Sequence, residues 1–242
     1  MVRCLPEKNP MKRDNLEILY EDDDLAAVRK PHGMLVHRTR IAPDANEFAV
    51  QRLRMQLGCR VYPVHRLDRK TEGILLFAKN RKTNSALQGL FRDRKVEKQY
   101  HAIVRGYTED EFSIDYALQN AGKSQESLTH GATEMRFEAS WPSGGFATSR
   151  YSLVKLRPVT GRHHQLRKHM SHIMHPIIGD RPHGCNKQNR LWKDRFGMTT
   201  MLLVASGLSF DFPENRRIEI SCSMSRPFNQ ALALLSGHDP PG

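Results

Sequence analysis

Strand-like and helix-like stretches alternate along this chain without the regular strand–helix–strand period that builds an all-parallel sheet, and that irregularity decides the fold class. Apolar runs at residues 16–20 and 25–30 predict two strands joined by an acidic turn at 21–24. Lys30-Pro31-His32-Gly33 ends the second strand, because Pro and Gly punctuate. Ala45, Phe48, Ala49, Leu53 and Leu57 fall at helical spacing over 45–57, closed by Gly58. A short strand at 61–64 and a continuous apolar strand at 74–79 follow. A helix over 83–93 carries Ala86, Leu87, Leu90 and Phe91 on one face, and residues 98–107 alternate as a strand. Residues 108–131 are weakly patterned and read as polar loop material, before strands at 133–139 and 149–156 about a hairpin loop at 141–145. Thr160-Gly161 opens a helix over 163–174, with Leu166, Met170, Ile173 and Met174 on its apolar side, which Pro176 stops. Residues 182–197 read as a long basic polar loop, 199–206 and 218–223 as strands, and 229–235 as a last short helix. The expected class is α+β, a large, mixed but mostly antiparallel sheet flanked by helices and loops. A chain of 242 residues can bury one large core. The expected organisation is a tail over 1–15, a single domain over 16–236 and a tail over 237–242.

Charge narrows the partner. Lys and Arg number 38 against 26 Asp and Glu, a net charge of +12 with His neutral. Such a balance favours polyanions, because each neutralised phosphate releases a counterion. Aromatic residues are 7% of the chain, too few for a stacking platform spread over the surface, so recognition of a folded nucleic acid by shape fits better. No GxxxxGK[ST] or GxGxxG segment occurs, which argues against P-loop and Rossmann nucleotide sites. Cys4, Cys59, Cys185 and Cys222 form neither a disulfide framework nor a CxxC knuckle, as expected of a reduced, cytoplasmic protein. No apolar run approaches the roughly 20 residues of a membrane helix, and the start lacks the apolar centre of a secretion signal.

The densest chemistry is His65-Arg66-Leu67-Asp68-Arg69-Lys70. Cations on both sides favour an ionised Asp68, a poor general acid suited instead to nucleophilic attack or to stabilising a cationic sugar. A surface ion pair is the plain alternative, but the segment is Gly-bounded and lies between two strands, where catalytic loops are common. A second patch, Thr160-Gly161-Arg162-His163-His164-Gln165-Leu166-Arg167-Lys168-His169, places Arg167 one helical turn from His163 and His164. Its cations could meet phosphate, Arg167 could pair with a buried carboxylate, or the helix could present a solvated basic face. Tyr100 lies on the strand 98–107, either as core or as a base-stacking ring. His169, His172 and His175 invite a zinc reading, but positions six apart on a helix face nearly opposite sides, and no HExxH or deaminase signature is present. No metal is expected.

In their order along the chain, Lys30-Pro31-x-Gly33, His65-Arg66-Leu67-Asp68 with Gly73, Tyr100-His101-Ala102-Ile103-Val104-Arg105-Gly106, and the Thr160–His169 run followed by His175-Pro176-Ile177-Ile178-Gly179-Asp180 resemble the RluA-type family of RNA pseudouridine synthases. The resemblance spans about residues 16–224. It implies the pseudouridine synthase catalytic fold and an isomerase without cofactors. In that reaction the N1–C1′ bond of uridine breaks, the uracil turns, and C5 bonds to C1′. A target within a helix must be flipped out, at a cost of a few kcal/mol, and a dry pocket keeps water from capturing the sugar. The resemblance implies that Asp68 is the catalytic aspartate, that Tyr100 stacks on the flipped base, that Arg167 holds the aspartate, that Leu166 packs beside it, and that Arg66 fills the gap left in the RNA stack. Arg69, Lys30, His65, Arg162 and His164 complete the expected RNA-contacting set.

The stretch Gly179-Asp180-x-x-His183-Gly184-x-Asn186-x-Gln188-Asn189-Arg190, with Leu35-Val36-His37-Arg38, is similar to the TruC branch, which modifies uridine 65 of tRNA. Val204 stands where the family often has His, Cys185 where that branch usually has Asp, and Thr71-Glu72-Gly73 replaces Thr-Ser-Gly. None of these replaces Asp68, Tyr100 or Arg167. The expected partner is RNA, foremost tRNA, bound by a monomer without metal or membrane. Ribosomal RNA is the alternative substrate. A non-catalytic RNA chaperone and an N-glycosidase that frees uracil are the alternative activities.

Overall fold

A computed structural model describes residues 15–37, 48–213 and 216–237. Of the expected tails over 1–15 and 237–242 all but Asn15 and Gly237, and the first turn of the helix expected over 45–57, lie outside the described residues. The strands are β1 (Ile18–Glu21), β2 (Leu25–Lys30), β3 (Tyr62–Pro63), β4 (Glu72–Ala78), β5 (Glu97–Arg105), β6 (Glu111–Asp115), β7 (Leu118–Asn120), β8 (Lys123–Gln125), β9 (Leu128–Ala139), β10 (Ser149–Pro158), β11 (Leu203–Asp211) and β12 (Arg217–Ser221). The helices are α1 (Ala49–Leu57), α2 (Arg81–Arg92), α3 (Gln165–His172), α4 (Asn186–Phe196) and α5 (Arg226–Leu235).

Ten strands form one sheet in the order β1-β2-β4-β11-β5-β10-β9-β6, with β3 on β4 and β12 on β11, while β7 and β8 pair separately. Every pairing in the large sheet is antiparallel except β4 with β11. β4 is buried along its whole length, which is why its sequence is a continuous apolar run rather than an alternating one. β11 pairs with β5 at six positions but with β4 only at Val204–Glu72 and Ala205–Gly73. At that narrow seam Gly73 has φ +108, and a Cβ there would sit 2.2 Å from the Ala205 carbonyl oxygen.

Apolar packing covers both faces. On one face α1 lies over Val28, Leu75 and Phe77, and α3 lies over Ala102, Val104 and Leu203. Tyr100 is half-buried between these two clusters, so a cleft opens there. On the other face α2 covers Leu76 and Phe210, and α4 and α5 cover Tyr151, Trp141 and Val204. Side chains start two of the helices: Asn80 accepts from the Thr83 amide at 2.8 Å, and Ser225 from the Phe228 amide at 3.4 Å.

Several expectations are corrected. Residues 108–131 hold β6, β7, β8 and the start of β9, because alternation there sets solvent against a thin buried face with few apolar side chains. Residues 182–197 hold α4, anchored by buried Gln188 and Trp192. The α3 helix is shorter than expected, and Met174 is exposed beyond its end with φ 66 instead of packing. β11 starts at Leu203 and runs on to Asp211.

Candidate active site

Asp68 sits in the irregular segment between β3 and β4, which two anchors hold. Leu67 is buried in the core beneath α1. Behind Asp68, the Thr71 amide donates to the Asp68 carbonyl at 3.1 Å, and the Gly33 amide donates to the Arg69 carbonyl at 2.9 Å. Lys30 has no exposed surface, and its ammonium donates to the carbonyls of Pro31, Met34 and Arg69 at 2.9–3.1 Å. Burial lowers its pKa to about 7, against the opposing pull of Glu72 and Asp68. The expectation that Lys30 contacts RNA is therefore corrected: it ties the Asp68 segment to the turn after β2.

The opposite wall is the entry to α3. Gln165 is buried and clips that loop from inside. Its carbonyl accepts from the Thr160 hydroxyl at 2.7 Å and the Arg162 amide at 3.0 Å, while its amide donates to the Leu128 carbonyl and Thr129 hydroxyl, each at 3.0 Å. His164 takes a left-handed conformation with φ 57 at the helix start. The next turn aims Leu166 and Arg167 at the sheet, and both are buried.

Arg167 joins the two walls. Its Nη1 donates to Asp68 Oδ2 at 3.0 Å, and its Nε and Nη2 grip both oxygens of Asp180 at 2.7 and 2.8 Å. Arg167 is 5% exposed, Asp180 1% and Asp68 20%. Burial opposes the guanidinium charge, but the hydrogen bonds and charges of Asp180 and then Asp68 outweigh it and raise the Arg167 pKa. His164 Nε2 stands 3.7 Å from the same Asp68 oxygen, and its Nδ1 lies 3.0 Å from His183 Nε2. Burial lowers the His164 pKa to about 4, so this imidazole is neutral at physiological pH despite Asp68. Asp68 Oδ1 has no hydrogen bond to any described residue, and Asp68 lines a cleft.

The cleft, about 200 Å³, is lined by Asp68, Tyr100, Leu166 and Arg167 together with Arg66, Arg162, His164 and Lys98. The Tyr100 hydroxyl bonds to no described residue, and burial, then the Asp68 charge, raises its pKa. Lys98, on the same face of β5, donates to the Thr160 carbonyl at 3.0 Å, and burial with Arg94 nearby lowers its pKa to about 8. Of the expected residues, Arg69 is exposed outside the cleft and donates to the Gly33 carbonyl at 3.0 Å. His65 is turned inward: its Nε2 accepts from the Leu76 amide at 3.1 Å and its ring stacks on Phe91 at 4.9 Å. The expectation of RNA contact by His65 is corrected, since that imidazole braces β4. Sequence reasoning missed Asp180, Gln165, Lys98 and His183. The signal for Asp180 was present, because a buried Arg requires carboxylates enough to satisfy its fork.

The spaced histidines diverge. His169 Nε2 meets Ser127 and the Tyr116 carbonyl, His172 stacks on Tyr116, and His175 bonds the Arg105 carbonyl. Among the described residues no three His, Cys, Asp or Glu side chains gather as for a metal ion. No described helix is long and apolar enough to cross a membrane.

Comparison with known proteins gives one answer. Residues 24–172 match the RNA pseudouridylate synthase family. The chain is 41% identical to tRNA pseudouridine synthase C of Vibrio parahaemolyticus, covering 89% of this chain and 93% of that protein. It is 40% identical to the protein of the same name from Haemophilus influenzae, covering 90% and 96%. In fold it is similar to human RNA pseudouridylate synthase domain containing 4, with a TM-score of 0.70 over 91% of this chain and 93% of that one at 23% identity. With the matched segment holding Asp68, Tyr100 and Arg167, the chain belongs to the RNA pseudouridylate synthase family and is an isomerase of that class.

Proposed function

We propose that this protein converts uridine to pseudouridine in tRNA, at uridine 65, with Asp68 as the residue that breaks the glycosidic bond. The observation that carries the proposal is the Asp68 carboxylate: Oδ2 is fixed by a buried arginine while Oδ1 is unengaged on a narrow cleft. Only a free oxygen can act on the ribose, by attack at C1′ or by removal of the C2′ proton. The N1–C1′ bond then breaks, the uracil turns, C5 bonds to C1′, C5 loses its proton and N1 gains one, so no atom is added or lost. Tyr100 supplies the ring on which the detached base turns, and its raised pKa means that the phenol enters the reaction protonated. Arg66 at the mouth takes the place of the flipped nucleotide, and Arg162 and His164 flank it. The names of the relatives that are 40–41% identical support tRNA over ribosomal RNA. A cytoplasmic monomer, with residues 16–236 as one catalytic domain, completes the reading.

The test is incubation of unmodified tRNA with the purified protein and mapping of pseudouridine. Wild type places it at position 65, and Asp68→Asn forms none, a loss of about 10⁴-fold or more, with its melting curve and tRNA affinity near wild type. Product only in ribosomal RNA overturns the substrate, free uracil overturns the isomerisation, and normal turnover by Asp68→Asn overturns the role of Asp68.

A further inference from the structure

Beyond the cleft, the chain places a second basic feature that the mechanism does not use. Residues 181–197 hold five Lys and Arg but one Asp. Residues 176–184 carry the chain over the end of the sheet: Ile177 packs in the core beneath α3, and Ile178 in the core over which α4 lies. Beyond that crossing, a groove of about 410 Å³ opens between the Arg181 turn and α4, lined by Arg181, Asn186, Asn189, Arg190, Lys193 and Asp194. The helical period explains the lining, since Asn186, Asn189, Arg190 and Lys193 form one stripe, while Gln188 is buried and Trp192, packed in the core, also borders the groove. Arg181, Arg190 and Lys193 are exposed, and none of their side chains bonds or pairs with a described residue.

Several surface arginines are neutralised, Arg29 by Glu17, Arg136 by Asp110 and Arg217 by Glu97, whereas the three cations of this groove keep their charge unpaired beside one another. The unpaired groove also adjoins the cleft. Arg181 acts on Lys70, two residues from Asp68, lowering its pKa after burial. The helix is fixed to the site by Asn189, whose amide donates to the Asp180 carbonyl at 2.7 Å and whose oxygen accepts from the Gly179 amide at 2.8 Å. Asp68, Arg167, Asp180 and Asn189 thus form one hydrogen-bonded series leading to α4.

We infer that the Arg181–α4 groove is a second phosphate-binding tract, which holds the sugar–phosphate backbone of the substrate RNA outside the flipped nucleotide. The inference rests on the proposed RNA-modifying function and extends it to a surface away from the base. Two guanidiniums and an ammonium in one groove fit phosphodiesters at several angles without reading bases. The groove therefore sets affinity and register, and the cleft sets chemistry. The tract predicts a KM effect without a kcat effect.

The experiment is anisotropy titration of labelled, unmodified tRNA from 50 to 250 mM KCl, in an Asp68→Asn background so that turnover plays no part. Arg190→Gln with Lys193→Gln weakens binding about tenfold and lowers the log–log salt slope by about two. Arg181→Gln lowers the slope by about one. Lys82→Gln with Lys95→Gln, which removes the same charge from the α2 side, leaves both values near wild type. In otherwise wild-type protein the groove variants raise KM and keep kcat at saturating tRNA. Affinity and slope unchanged in the groove variants, or reduced equally by the α2-side variants, overturn the tract. Salt-sensitive tRNA binding through the groove without any pseudouridine formed overturns the proposed function and leaves the tract standing.

Discussion

Arg167 divides one guanidinium between two carboxylates, and all three of its nitrogens are engaged. Arg167→Ala leaves Asp180 buried without the guanidinium that grips both its oxygens, and thermal or urea melts should show a loss of about 3–5 kcal/mol together with loss of pseudouridine formation. Arg167→Lys keeps the charge but cannot reproduce the fork, so it should fall between Ala and wild type in both measurements. A wild-type melt for Arg167→Ala would refute the clamp. Asp68 and Arg167 were legible as partners through the family resemblance of their motifs, whereas the residues alone left a surface ion pair for Asp68 and phosphate contact for Arg167 open. Lys30 and His65 were misread for the opposite reason. A cation in a motif reads as surface until three carbonyls are seen around Lys30, and an imidazole reads as a ligand until an amide is seen donating to His65.

At the scale of elements, the apolar patterns of β2, β4, β5 and α2 showed in the sequence because burial there follows one period. α4 did not show, since its inward stripe includes Gln188, a polar residue that becomes core only because the Tyr151 hydroxyl donates to it at 2.6 Å. Glycine at 73 marks the element boundary that matters most for the site. Gly73→Ala pushes a methyl into the Ala205 carbonyl at a left-handed φ. Either the backbone strains or β4 moves away from β11. A destabilisation of at least about 2 kcal/mol is expected in a denaturant melt. The variant should also lose activity beyond its unfolded fraction, because the Asp68 segment leads directly into β4. Full activity and stability would show that the strands can part without cost.

For the whole molecule, buried bases set the response to acid. The His65 pKa is lowered to about 4 by burial first, so between pH 6.5 and 4 the unfolded chain binds a proton at this position that the folded chain does not. Stability therefore falls as pH drops through that window, by up to about 3 kcal/mol from this group. His65→Leu should start less stable at pH 7 but decline less steeply, which urea melts across pH 4–7 will measure; parallel slopes would remove His65 as the cause. The same scale gives the Asp68–Arg167 contact a second meaning. Asp68 precedes β4 and Arg167 follows β10, so the two come from opposite sides of the seam where β4 and β11 share only two residue pairs. The ion pair is thus a strut across the joint with the fewest paired residues along the main strand order, and any parting of that joint would separate the same two groups that the chemistry needs together. The placement of the reacting carboxylate and the integrity of that joint therefore depend on the same 3.0 Å contact.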